Sequence, residues 1–279
     1  MHFHLVSYAT TKYRHRQVFL AASARANGIV ESARSWTAAQ LAASEFTKIA
    51  PNILLTERGS GFWAWKPFII QKSLASLSDG EILLYCDVGR KYPYILLEHP
   101  LDSFVSWMDD HSQDIVPGVL IPWNGPMETW TKGEAFTGTG MNRSNVRKAI
   151  PIQASFSFWR ASPQSKRFVA EWLSWCVQRN LINDDHSADG EPEVPVFRGH
   201  RHDQSLMTLC CLKNGVRGID LGPEIPSFNE RDPGQVAHHL FGTRPQLTLR
   251  GKLVRSAAKP VQFIEQNLRE RITFGQKYE

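Results

Sequence analysis

Cysteine is scarce in this chain, and what there is follows no pattern. Cys86, Cys176, Cys210 and Cys211 show no CxxC spacing, and the last two are neighbours inside an apolar helical stretch. That arrangement argues against a zinc site and a disulfide framework, and predicts buried, reduced thiols. No run approaches the ~20 apolar residues that span a bilayer. The N-terminal MHFHLVSYATTKYRHR has no basic leader followed by an apolar stretch, so a soluble, cytoplasmic chain is expected. Also missing are GxSxG, HExxH, a Walker loop and the kinase set, which removes support from several hydrolase and kinase classes. There is no internal repeat and no low-complexity segment. Charge of either sign is modest: 32 Lys plus Arg against 27 Asp plus Glu give a formal +5, without an RNP or zinc-finger pattern, so no nucleic-acid partner is expected. The same balance suits anionic ligands such as nucleotides, or an anionic membrane surface.

What is present is enough for a substantial core. With 279 residues and 42% hydrophobic content, one large domain is the simplest reading. FHLVSYA (residues 3–9) predicts a first strand, and Thr10 follows it at a loop suited to a nucleotide. A helix over about Arg14 to Asn27 ends on Gly28. Asn52 to Leu55 reads as a second strand, Pro67 to Leu77 as a helix, and Ile82 to Tyr85 as a strand buried on both faces. This alternation predicts an α/β fold with a mostly parallel central sheet flanked by helices. Further on, Leu101–Met108 is amphipathic and Ile115–Ile121 reads as a strand. Residues 122–142 form a long loop carrying Trp123 and Trp130, and IQASFSFWRAS reads as one strand. Ser162 and Pro163 cap a helix whose Phe168, Trp172 and Cys176 recur at i, i+4 and i+8. After a polar loop over 183–199, HRHDQSLMTLCCLKNG predicts another helix. Basic residues thicken from Arg244 onward, so residues 1–250 are assigned to the domain and 251–279 to a basic, partly amphipathic extension.

Two blocks carry the candidate chemistry. The buried strand ILLYC ends on Asp87, with Gly89 allowing a tight turn beside the carboxylate. Asp87 reads either as a ligand-facing acid at the sheet edge or as an Asp that only starts a turn. Just upstream, Gly59-Ser-Gly-Phe-Trp-Ala64 formally matches the dinucleotide fingerprint GxGxxG/A. Trp63 and Trp65 are too large for a pyrophosphate cradle, so the preferred reading is an aromatic corner that positions Arg58 and Lys66. The second block brings His200, His202, Asp203 and Gln204. Asp203 reads as an N-cap that can also face a ligand, whereas Asp184, Asp185 and His186 read as a solvated loop.

Together, GFWAWKP, YCDVG and HRHDQSL resemble the pattern of bacterial polysaccharide glycosyltransferases with the GT-A fold, over roughly residues 8–215. The resemblance implies transfer of a sugar from a nucleotide-sugar donor to a glycan or lipid-linked glycan. Asp87 is similar to the surviving member of the DxD motif that holds Mn²⁺ or Mg²⁺, although Gly89 replaces the second acid. A metal-free mechanism would instead rest on Arg58 and Lys66. The implied donor site comprises Thr10, Arg58, Trp65, Lys66, Asp87 and Gly89, with Asp203 and Gln204 at the reacting sugar and His202 completing a metal site with Asp87. A nucleotide-sugar hydrolase or nucleotidyltransferase, and an inactive GT-A domain that binds glycan or a partner, are the other readings. Peripheral contact with the inner face of an anionic membrane is expected of the C-terminal segment.

Overall fold

A computed structural model describes residues 2–88, 99–185, 193–222 and 231–275; Gly89 and His186 lie outside them. Among the described residues, seven strands run β1 (Phe3–Ala9), β2 (Ser32–Thr37), β3 (Ile82–Cys86), β4 (Ile115–Val116), β5 (Val119–Leu120), β6 (Ile152–Gln153) and β7 (Phe156–Arg160). The longer helices are α1 (Arg14–Ala26), α2 (Trp65–Leu74), α3 (Asp102–Asp110), α4 (Pro163–Cys176), α5 (His202–Asn214), α6 (Pro233–Phe241) and α7 (Leu249–Gly275).

The α/β architecture is as expected, but the sheet is mixed rather than mostly parallel. Its order is β2-β1-β3-β7-β4, and β5 and β6 form a separate two-stranded ribbon. The pairs β1–β2 and β1–β3 are parallel, whereas β7 runs antiparallel to both β3 and β4. The segment IQASFSFWRAS, which the sequence predicts as one strand, forms two. The chain changes sheets at Ala154 and Ser155, so β6 pairs with β5 while β7 runs against β3.

Alternation along the strands divides the interior in two. Val6, Tyr8, Leu83, Tyr85 and Trp159 face a core filled by Phe68 and Ile69 of α2, Phe168 and Trp172 of α4, and Leu206 of α5. Phe3, Leu5, Ile82, Leu84 and Phe158 face the opposite core, with Leu20 of α1, Phe104 and Met108 of α3, and Val236 of α6. Period-two alternation with both faces covered is why these strands read as continuous apolar runs. Gln17 ties α1 to the sheet, donating to Ser7 O and Trp36 O (both 3.0 Å). The cap on α4 forms as a Ser162–Ser165 capping box, and its Phe168, Trp172 and Cys176 are buried. All four cysteines are buried free thiols.

Other expected elements differ as well, and the loop expected over 122–142 holds the short helices Met127–Trp130 and Gly133–Gly138. Asn52–Leu55 is a 3₁₀ turn (Ile53–Leu55) that starts from a left-handed Asn52 (φ 68°), and the second strand is instead Ser32–Thr37. Ile115–Ile121 breaks into β4 and β5 at Gly118, whose φ is 134° and where an added Cβ would lie 1.9 Å from Gln153 O. Backbone oxygen cannot yield there, so Gly118→Ala is expected to lower stability by about 2–4 kcal/mol, read as a reduced urea midpoint at unchanged m.

Candidate functional site

The expected site residues are distributed around one cleft at the carboxyl ends of β1 and β3. The chain enters it through an unusual corner. Gly59 (φ 60°), Ser60 (51°), Gly61 (96°), Phe62 (55°) and Trp63 (59°) form a continuous left-handed turn. Such a run strains L-residues by about 1–2 kcal/mol each. Its glycines are needed for close approach: a Cβ on Gly59 would lie 2.3 Å from the Trp63 ring. Trp65 Nε1 then donates to Gly59 O (2.9 Å), which locks the corner before α2 begins. The glycines therefore serve an aromatic left-handed turn, not a pyrophosphate cradle, and the turn leaves Arg58 and Lys66 lining the cleft.

The cleft has two lobes that share Arg58, Trp63 and Asp87. One, of about 870 Å³, is lined by Tyr8, Thr10, Tyr13 and Trp65, with the Tyr8 and Trp65 rings 4.0 Å apart. The other, of about 410 Å³, is lined by Lys66, Trp130, Gln153, Asp203 and Gln204 and by guanidinium groups. Among the described residues, five cations, Arg58, Lys66, Arg198, Arg201 and Arg231, face it against two carboxylates, Asp87 and Asp203. Thus Thr10, Arg58, Trp65, Lys66, Asp87, His202, Asp203 and Gln204 all line this cleft or form its wall. Gly89 lies outside the described residues.

At the floor, Lys66 stands between the two acids. Its Nζ lies 2.7 Å from Asp203 Oδ2 and 3.6 Å from Asp87 Oδ1, and donates to Ala154 O at 3.0 Å. The side chains of Lys66 and Asp203 are only 4% and 6% exposed. Nζ approaches Oδ2 off the hydrogen-bonding direction, so this buried oxygen has an ionic partner but no aligned donor. Tyr85 donates its hydroxyl to Asp87 Oδ1, and the Lys66 ammonium lies 5.2 Å from the Tyr85 ring centre. Burial raises Asp203 to a pKa of about 6, Asp87 pushes the same way, and Lys66 opposes both. Burial works against the Lys66 charge, but Asp203 and Asp87 outweigh it and hold the ammonium above its ordinary pKa. Lys66 and Asp203 are therefore both ionised at neutral pH, with Asp203 a stronger base than an exposed aspartate.

Asp203 lies in the first turn of α5, not at its cap. Arg201 occupies the cap position, and His202 enters the helix with φ 49°. Backbone strain of this kind concentrates where a side chain must point in one direction. Trp172 Nε1 holds the Asp203 carbonyl at 3.1 Å. His200 is structural: its Nε2 donates to Leu181 O (2.9 Å) and its Nδ1 accepts from Lys132 N (3.4 Å). His202 Nε2 donates to Asp184 (2.9 Å) while its ring stacks on Phe62. Burial, with Arg58 and Arg201 nearby, lowers His202 to about 4 in spite of Asp184. Asp184 also receives Arg58 at 3.0 Å, so it anchors two lining residues of the cleft and is not the merely solvated loop residue expected.

Arg201 was the residue hidden in plain view inside HRHDQS. Its guanidinium lies 4.1 Å over the Trp130 ring, and Trp130 Nε1 is anchored on Asn124 O (2.6 Å). One face of Trp130 is thereby covered, and the ring orients an arginine. Burial lowers the Arg201 pKa, and repulsion from Arg231 and Arg58 adds to it. Arg201, together with the Arg231 and Arg58 guanidiniums that repel it, suits a multivalent anion. No signal in the sequence singled out Arg231.

A shared divalent cation does not fit this donor set. Lys66 Nζ stands between the carboxylates a metal would bridge, and His202 Nε2 is committed to Asp184. Among the described residues, no group of three or more His, Cys, Asp or Glu side chains converges as a metal site. No family model, curated protein or solved structure matches this chain.

Proposed function

We propose that the chain is a GT-A-like glycosyltransferase that moves a sugar from a nucleoside-diphosphate donor to a glycan hydroxyl. The observation that carries this reading is the Asp87–Lys66–Asp203 triad, set beside an arginine cluster and next to an aromatic lobe. The Tyr8, Tyr13 and Trp65 lobe suits a nucleoside, whose base stacks on aromatic rings. Arg58, Arg201 and Arg231 suit the diphosphate, and Asp87 suits hydroxyl groups of the sugar or ribose. A smaller groove of about 480 Å³ adjoins the cleft through Asn124 and Arg198, and its Trp123 and Phe197 suit an acceptor glycan.

The reaction breaks the bond between the anomeric carbon and the diphosphate oxygen and forms one to the acceptor oxygen. Negative charge leaves with the diphosphate, where the guanidiniums stabilise it. The acceptor proton passes to the Asp203 carboxylate, whose raised pKa makes it an effective base near neutrality. Lys66 keeps Asp203 ionised and fixed in direction. Hydroxyl protons and charge are thus handled by this chain's own side chains, with no step routed through a metal.

A thermal-shift panel of UDP, GDP, CMP and dTDP, each with Mn²⁺ or with EDTA, tests the reading. One nucleotide is expected to raise the melting temperature equally in both conditions, with about 2.7 kcal/mol added at a hundredfold excess over its Kd. Stabilisation by none of them would remove the donor site and leave a glycan-binding domain. With the matching nucleotide-sugar, release of free sugar outpacing transfer to every acceptor would make the protein a hydrolase.

A further inference from the structure

The C-terminal helix α7 carries a feature that the cleft does not use. Its inner side packs on α1 so closely that a Cβ on Gly251 would lie 1.7 Å from Asn27 Oδ1, and Thr248 donates to Ala26 O just before it. Ala258, two turns further on, is fully buried in the core beneath the sheet. The outer side is the reverse of what a water-facing helix presents. Leu249 is 77% exposed, Leu253 64% and Ile264 57%, and Ala257 and Pro260 are exposed between them. At about 100° per residue these five fall within about 80° of one another, as one continuous apolar stripe.

Charge flanks the stripe on both sides. Exposed Arg250 borders one edge, and exposed Lys252 and Lys259 border the other, while the sequence from Arg244 to Ile264 contains no Asp or Glu. Among the described residues, no helix is long and apolar enough to cross a membrane. An apolar stripe edged by basic residues on a helix docked to a folded domain fits the boundary between acyl chains and anionic headgroups. A second copy of the chain fits less well, because a two-fold contact through this stripe would set each row of cations against its own equivalent. A single exposed leucine would mean nothing; the alignment of all five is what points to an occupant.

We infer that the outer face of α7 docks the protein on an anionic lipid bilayer. The inference is independent of the glycosyltransferase reading, since it concerns a different face and a different ligand. Flotation of the full chain with phosphatidylcholine vesicles, with and without phosphatidylglycerol, tests it. Binding is expected only with phosphatidylglycerol and is expected to fall steeply with added NaCl. The Leu249→Ser, Leu253→Ser double variant is expected to bind at least about tenfold more weakly at an unchanged melting temperature, because the two side chains contact no core. Should that variant melt early, Lys252→Glu with Lys259→Glu replaces it, with loss of the salt-dependent binding expected. Equal binding to both vesicle types, or binding unchanged in the variants, overturns the inference. So does a concentration-dependent dimer that the leucine substitutions dissociate, which would assign the stripe to a second copy.

Discussion

Asp203→Asn is expected to lower kcat by about a thousandfold while leaving the affinity for the nucleotide-sugar donor within a few-fold of wild type. The substitution keeps the shape of the side chain and the Trp172 bond to the Asp203 carbonyl, and removes the ability to take a proton together with the charge that pairs with Lys66. Wild-type kcat should rise with pH through about 6, where Asp203 becomes ionised, and the variant should lose that limb. A variant that transfers sugar at the wild-type rate would place the base elsewhere. Folding stability supplies an independent reading of the same group. The folded pKa of about 6 lies above the ordinary 3.8, so folding takes up a proton on Asp203 between these values. Wild-type stability relative to Asp203→Asn should therefore be highest below about pH 4, and fall by about 3 kcal/mol as pH rises through 6. A flat difference across that range would mean that Asp203 is not held in a desolvated position.

The parts of the site that were legible in the sequence are those where local pattern and burial coincide. Ile82–Cys86 is buried on both faces, so an acid immediately after it had to emerge at a sheet edge, and Asp87 does. Lys66 and Asp203 stand in recognisable strings, but nothing local says that they touch across 136 intervening positions of sequence; packing of α2 and α5 against the same core does that. The left-handed turn was unreadable because Ser60, Phe62 and Trp63 adopt a conformation their own preferences oppose. Strand β2 was missed because SARSWT, at the sheet edge, exposes alternate polar residues and lacks an apolar run. Asp184 reads as solvated because it sits in an acidic loop, and its importance comes from Arg58 and His202 arriving from distant segments. Tertiary proximity, not motif, also made Arg231 part of the cleft.

Lys66→Met is expected to be the most damaging single change in the cleft. It leaves two carboxylates facing each other with no ammonium between them, and removing one partner of a buried ion pair costs about 3–5 kcal/mol. Proton uptake sets a ceiling on the loss. Asp203 can escape an unpaired buried charge by binding a proton, which at pH 7 costs about 4 kcal/mol relative to an ordinary aspartate. The deficit against wild type should therefore shrink as pH falls toward about 6 and stay level below it, where wild-type Asp203 is protonated as well, and the variant should be inactive at neutral pH because its base is protonated. Adding Asp203→Asn to Lys66→Met should recover part of the stability and none of the activity, which separates the fold's need for the cation from the reaction's. The same variant decides what Lys66 stands in place of. With the ammonium gone, Asp87 and Asp203 present two carboxylates to the same space, a donor pair suited to Mn²⁺ or Mg²⁺. Mn²⁺ is accordingly expected to raise the melting temperature of Lys66→Met and to leave that of wild type unchanged. Equal stabilisation of both proteins would mean that a cation binds beside Lys66 and that the lysine does not occupy its place.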